Sequence, residues 1–353
     1  MRVSITVCYL LGGATLALAG CSGSAQQVLS HTTNSGLAQH SLLGSNLHLT
    51  VARSGAVSVL PAGLTIRTRH LRPSARVGPD KVPKGYTYVG QFSGPTVQEY
   101  YKNNKANNPP QCTVPGQSVN GIAVDPSGNL WVPNGTGGGQ GYTQEYAPNC
   151  GAAKLNISDP NGQPADVGFD SKGNIYILNI FDANGNAGTV NIYDSGGSLI
   201  GSLSDPSFNE LIGIGTDGND NVFVSNRDVN GIANVVEFPA GTMPGTVLSG
   251  ITLGLPGAPT FDSANDLIIT DWQAYTLNVY APPYMGSPTT TPMQGLSLWC
   301  ALGRLERRLY CADLGGSVDA YAYPSGAYLY SYTNGLIPSG FATGIGNDPP
   351  AAL

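Results

Sequence analysis

Charge is scarce in this 353-residue chain: only 11% of its residues are Asp, Glu, Lys or Arg. Histidine is scarcer, and its four copies, His31, His40, His48 and His70, all precede the last 280 or so residues. Residues 86–353 therefore offer no imidazole as a metal ligand or proton shuttle. Basic residues are short there too. That segment holds 21 acids against eight bases, so it lacks the attraction for phosphates on which nucleic-acid binding rests. No cysteine pair has C-x-x-C spacing, which argues against metal held by thiolates. No Ser, Cys or Lys comes with a base that would activate it as a nucleophile. The N-terminal apolar stretch, Val7 to Ala19, is too short for a secure membrane span.

What the chain does have is a repeat. An apolar residue or Thr, two residues, then Tyr or Phe recurs six times: Val97-Gln-Glu-Tyr100, Thr143-Gln-Glu-Tyr146, Val190-Asn-Ile-Tyr193, Val235-Val-Glu-Phe238, Leu277-Asn-Val-Tyr280 and Val318-Asp-Ala-Tyr321. The aromatic residues are 46, 47, 45, 42 and 41 apart. A period near 45 built from short β-type segments marks a β-propeller, one four-stranded sheet per period. A second feature keeps the same phase. Asp125, Asp170, Asp217 and Asp262 each precede an aliphatic residue by five positions, with Gly, Asn, Ser and Asp between. That is turn chemistry inside a hairpin, and it makes these aspartates turn formers. Four residues after the aliphatic come Asn134, Asn179, Asn226 and Asp271, and Asp313 holds the matching place after Leu309.

With strands named a to d from the axis outwards, the Asp turn joins a to b and the aromatic phrase is strand c. Upstream of Tyr100 only Tyr86 to Phe92 is available as a strand b. The chain ends with Ser339-Gly-Phe-Ala-Thr-Gly-Ile345, which reads as a lone strand a. The expected fold is all-β, a six-bladed β-propeller over residues 86–353, closed by that C-terminal strand completing the N-terminal blade. A ring of this size buries enough surface to fold without a cofactor.

The N-terminus is different. Residues 1–20 have the layout of an export signal, with Arg2 before the apolar stretch. Leu18-Ala19-Gly20-Cys21 resembles the bacterial lipobox, which implies cleavage before Cys21 and lipidation of its thiol. The implied location is the cell envelope, on the outer membrane or the periplasmic face of a membrane. Residues 21–85 are rich in Ser, Thr, Gly and Leu, with seven bases and one acid, Asp80. They read as a flexible basic tether. Plentiful Gly (48) and Pro (26) suit an exported, turn-rich protein. Export permits disulfides. Cys300 and Cys311 flank the a–b turn of the last repeat and can face each other across the hairpin, which leaves Cys112 with Cys150.

Strands a and b share one rim around the axis, where a begins and b ends, so a ligand site is sought there. Asn134, Asn179, Asn226, Asp271 and Asp313 fall at the ends of b, where an Asx side chain either caps the departing turn or meets a ligand. Trp272 follows Asp271 out of phase with the packed Trp131, Tyr176, Phe223 and Tyr310, and is a contact candidate for a glycan or protein. Asn120, Asp166 and Glu210 fall at the starts of a.

Two units carry a family resemblance: Asn120-Gly-Ile-Ala-Val-Asp125-Pro-Ser-Gly-Asn-Leu-Trp-Val132 and Asp166-Val-Gly-Phe-Asp170-Ser-Lys-Gly-Asn-Ile-Tyr-Ile177. They resemble NHL-type repeats and those of the gluconolactonase/regucalcin group. The latter resemblance implies one divalent metal, Ca or Zn, held by Asn120, Asp166 and Glu210, polarising a lactone carbonyl and activating water. Strand alternation opposes this set: counted from the turn Asp of each blade, Asn120 is at −5, Asp166 at −4 and Glu210 at −7, so Asp166 points the other way unless a bulge intervenes. The favoured expectation is a membrane-tethered, monomeric, non-catalytic module without a cofactor. It would bind a protein, peptide or glycan and no nucleic acid. The alternative is a metal-dependent lactone or ester hydrolase.

Overall fold

The computed structural model describes residues 85–348 apart from isolated loop positions, and three short strands nearer the N-terminus. The chain divides after Arg72. In the first unit Ala38–His40, Leu47–Val51 and Val57–Pro61 pair as an antiparallel sheet in chain order. The tether expectation did not include these strands. Leu47-His-Leu-Thr-Val51 does alternate with period two, but over too few residues to stand out from its Ser- and Gly-rich flanks. The export signal, Cys21 and the rest of the tether lie outside the described residues.

The second unit is a ring of six four-stranded antiparallel sheets, each in the order a, b, c, d. Blade 2 runs Ala123–Val124, Leu130–Gly137, Gln140–Tyr146 and Ala153–Asp159; blade 3 runs Gly162–Phe169, Ile175–Asp182, Ala187–Tyr193 and Leu199–Leu203. Blade 4 runs Glu210–Thr216, Val222–Arg227, Ala233–Phe238 and Thr246–Val247; blade 5 runs Thr260–Phe261, Leu267–Asp271, Thr276–Tyr280 and Thr289–Pro292. Blade 6 runs Ser297–Leu302, Arg308–Asp313, Ser317–Ala322 and Tyr328–Tyr332. In blade 1 the C-terminal strand Ala342–Asp348 serves as a, beside Tyr86–Gln91, Thr96–Tyr101 and Cys112–Pro115.

The aromatic phrase recurs because each copy ends in a ring packed between blades. All six, from Tyr100 to Tyr321, are buried. Each is worth roughly 1.5–3 kcal/mol of hydrophobic burial. The turn aspartates act as expected. One Asp125 oxygen accepts the backbone N–H groups of Ser127 and Asn129, and the other accepts the Asn129 amide and the Trp131 indole N–H. Asp170 repeats this with Lys172, Asn174 and the Tyr176 hydroxyl, and Asp217 repeats the backbone part.

Three residues beyond the turn Asp the backbone is left-handed. Blades 2 and 3 place Gly128 and Gly173 there, while blades 4 and 5 place Asp220 (φ 63°) and Asn265 (φ 63°). Glu306 (φ 51°) stands at the matching point of blade 6. A side chain at this position reaches back to the turn of the blade before. Asp220 takes the N–H and hydroxyl of Ser171, Asn265 takes the N–H of Gly218, and Glu306 takes both donors of Ser263. The phrase Asp217-Gly-Asn-Asp220-Asn221 is thus a turn with a clasp.

Both disulfides have the expected partners, Cys112 with Cys150 and Cys300 with Cys311. Cys300 and Cys311 are directly opposed in the a–b register of blade 6.

Candidate functional site: the axis and its rim

Strand a carries a bulge in blades 1, 3, 4 and 6; in the last three it leaves Ala165, Ile212 and Leu298 without partners on strand b. The bulge shifts the alternation by one and turns Asp166 inwards. Its carboxylate accepts the backbone N–H of Val167 and of Ile214 in blade 4, and the indole N–H of Trp299 in blade 6, each at 3.0 Å. A Cβ at Gly121 of blade 2 would collide with the same carboxylate, so only glycine allows this approach. Blades 3 and 6 stand opposite each other in a ring of six, so this contact closes the axis at its level. Burial raises the Asp166 carboxyl from 3.8 to about 7 against the lowering effect of its three N–H donors.

Glu210 and Arg227 form a buried ion pair, Oε2 to Nη1 at 2.8 Å, across the a–b register of blade 4. Asn120 is buried, with no hydrogen-bond partner on its Nδ2. The two carboxylates that would hold a divalent ion are therefore already engaged, one by a guanidinium and the other by three N–H groups. A cation would have to displace these donors. The residues do not fit the metal site that the lactonase resemblance implies.

The rim residues serve the backbone. Asn134 accepts the N–H of Gln117 and donates to Val132 O; Asn226 accepts from Asn209 and donates to Ser207 O. Each thus pins the loop entering its blade to the end of strand b. Asp271 accepts four backbone N–H groups, from Gly254, Leu255, Gln273 and Ala274. Asp313 accepts those of Leu296 and Gly315. Asn179 donates to Asp159, which also takes the Asn191 amide. Trp272 is half-buried on the b–c turn of blade 5, its backbone N–H donating to Leu255 O.

Two features escaped the sequence reading. In blade 6 the Ser317 hydroxyl lies between two carboxylates, 3.4 Å from Asp313 Oδ2 and 3.3 Å from Asp319 Oδ1. Burial first, and then mutual repulsion, pushes Asp313 up; burial does the same to Asp319. One hydroxyl proton cannot serve both oxygens, and two buried like charges this close disfavour the ionisation of both. The other is a row of polar pairs between strands c and d: Gln144 with Asn156, Asn278 with Thr290 and Asp319 with Ser331. Each polar member of c stands two residues before the aromatic of the repeat phrase, a position that was readable as a third polar column.

No protein-family model matches the chain, and no curated protein matches its sequence. Solved structures do match in fold. The chain is similar to a chain in the crystal structure of a nidogen/laminin complex, with a TM-score of 0.63 and 15% identity over 74% of this chain and 98% of that one. It is also similar to a protein of unknown function from Bacteroides caccae, with a TM-score of 0.57 and 13% identity over 75% and 99%. At these identities the likeness concerns the fold: this is a six-bladed β-propeller.

Proposed function

We propose that the chain is an extracytoplasmic binding module, a propeller of NHL or gluconolactonase-like repeat grammar carried on a lipidated Cys21 and non-catalytic in itself. The observation that carries this reading is the closed axis. Where a propeller hydrolase would assemble metal and water, Asp166 is bonded to Ile214 and Trp299, and Glu210 is paired with Arg227. What remains for recognition is the outside of the ring. The propeller in the nidogen/laminin complex belongs to a different protein; carrying partner binding over to this chain is our proposal. The lactone or ester hydrolase alternative has no donor set to support it.

The test uses the full chain with its anchor intact. Cys21→Ala is expected to move it from the membrane to the soluble fraction. Arrays of envelope glycans, peptides and proteins are expected to give saturable binding in at least one class. No saturable binding in any class would overturn the reading. One equivalent of tightly held Ca or Zn, lost in Asn120→Ala, would restore the hydrolase.

A further inference from the structure

Strand d of blade 4 is only Thr246–Val247 and strand a of blade 5 only Thr260–Phe261, so a loop over 248–259 forms the wall between the two sheets. Its inner part is packed: Leu248 and Ile251 join Phe223, Leu267 and Tyr280 in one apolar cluster. Further out the loop is too thin to cover the face of blade 5, and a groove of 490 Å³ is left between them. Clefts that take small molecules span roughly 300–1,000 Å³.

The lining of the groove narrows what it can hold. It includes no Lys, Arg or His, and its one acid is Asp271. Both Asp271 oxygens are covered by the four backbone N–H groups that fix the adjoining loops. A phosphate finds no cation here, and a cation finds no free carboxylate. The remaining polar groups are neutral. Buried Asn278 is held in one orientation, donating to Thr276 Oγ1 at 3.1 Å and accepting from Thr290 Oγ1 at 2.9 Å. Thr276 keeps its hydroxyl proton to give, and Thr290 keeps lone pairs to receive. Thr252 and Ser287 add two more hydroxyls. Alternating donors and acceptors match the neighbouring hydroxyls of a sugar ring.

We propose that the groove between blades 4 and 5 binds a neutral saccharide unit of one or two rings. This rests on the binding-module reading and gives it a location and a ligand class. A peptide fits less well. Peptides add to an open strand edge or need apolar pockets, whereas this groove lies over a sheet face and is lined mainly by hydroxyls and a carboxamide.

The test uses the full chain and a panel of neutral mono- and disaccharides, followed by saturation-transfer NMR and calorimetry. Thr290 is exposed, so Thr290→Val is expected to fold normally. It should weaken binding about tenfold, and Thr276→Val should do the same, each with the fold kept and the melting temperature lowered by only a few degrees, because buried Asn278 loses one partner. A second readout is built in. Met285 lines the mouth at 64% exposure, and Met243 is exposed to 56% at the corresponding corner of blade 4. The sugar should slow peroxide oxidation of Met285 and leave Met243 unaffected. No binding by any sugar of the panel, an affinity in both variants unchanged from that of the parent chain, or equal protection of both methionines would overturn the proposal. So would a neutral peptide that binds the groove where sugars do not. If the arrays yield a ligand whose affinity is indifferent to Thr290→Val, the groove assignment falls and the binding-module reading stands; if nothing binds in any class, both fall.

Discussion

The ring is held together in two different ways. From blade 3 to blade 6, where the chain is continuous, neighbouring turns are joined by short side chains: Asp220 to Ser171, Asn265 to Gly218, Glu306 to Ser263. At the seam between blades 6, 1 and 2, where the chain is broken, the bonds are longer-range and mostly reach backbone. Gln91 clamps Ile337 at both its N–H and its carbonyl, Tyr100 donates to Asn334 O, Thr343 donates to Val119 O and Thr87 donates to Asn347 Oδ1. Covalent continuity makes a clasp a refinement, because adjacent blades are already neighbours. At the seam nothing but contacts brings residues about 250 apart together, and closing such a loop costs entropy that the contacts must offset.

Removing the seam should therefore have the largest effect. A chain ending at Gly340 loses the buried Phe341, Ala342 and Ile345 and leaves the edge of Tyr86–Gln91 unpaired. We expect no cooperative melting transition by circular dichroism, and partial recovery on adding a peptide spanning 336–348. A normal transition in the truncated chain would show that the clasped blades suffice.

Next in size is Arg227→Met. It leaves Glu210 buried without its guanidinium, and breaking a buried pair costs about 3–5 kcal/mol. Urea titration should show that loss, with recovery in the double variant carrying Glu210→Leu as well. Comparable values for single and double variants would mean that the pair is not coupled.

The disulfides compare the two regions directly. Cys112–Cys150 spans 38 residues beside the seam, and Cys300–Cys311 spans 11 within one hairpin. Loop entropy gives roughly 4 kcal/mol for the first and nearer 3 for the second. Pairwise Cys→Ser variants should rank in that order on denaturation.

The fold was legible because its signals repeat. The aromatic phrase and the turn Asp each mark a position that every blade must fill in the same way, and burial of Tyr100 through Tyr321 enforces the phase. The closure was legible because a strand a was missing at one end and present at the other. The axis was not. Asp166 reaches it only through a bulge at Ala165, and nothing in Pro164-Ala-Asp166 announces an extra residue. Nor does any local pattern pair Asp166 with Trp299, 133 positions away. The rim asparagines were visible as a column, yet whether they face a ligand or a loop depends on the path of that loop.

Acidity supplies a further contrast. The axial Asp166 has its carboxyl raised to about 7, and burial pushes Asp313 and Asp319 up as well. The clasp residue Asp220 is lowered, chiefly by the N–H of Ser171. Groups protonated in the ring and ionised in the unfolded chain stabilise fully below pH 4 or so, and this stabilisation is lost as pH rises through about 7. The melting temperature should therefore fall between pH 5 and 8, and Asp166→Asn should flatten that fall. A stability that rises over this range would mean that Asp166 is ionised in the ring.

The smallest effect belongs to a single clasp. Asp220 sits at φ 63°, where a non-glycine residue costs about 1 kcal/mol. Its two bonds to Ser171 return a similar amount, at roughly 0.5–1.5 kcal/mol each. In Asp220→Gly the backbone relaxes while the bonds vanish, so global stability should move by less than about 1 kcal/mol. The local signature should be plain: the amide of Ser171, now without an acceptor, exchanges with solvent about tenfold faster. Blade 3 supplies the control, because Gly173 already holds the equivalent place and makes no side-chain clasp to blade 2. If Asp220→Gly instead destabilises the whole ring by several kcal/mol, the clasps carry closure as well as the seam, and the division between the two regions fails.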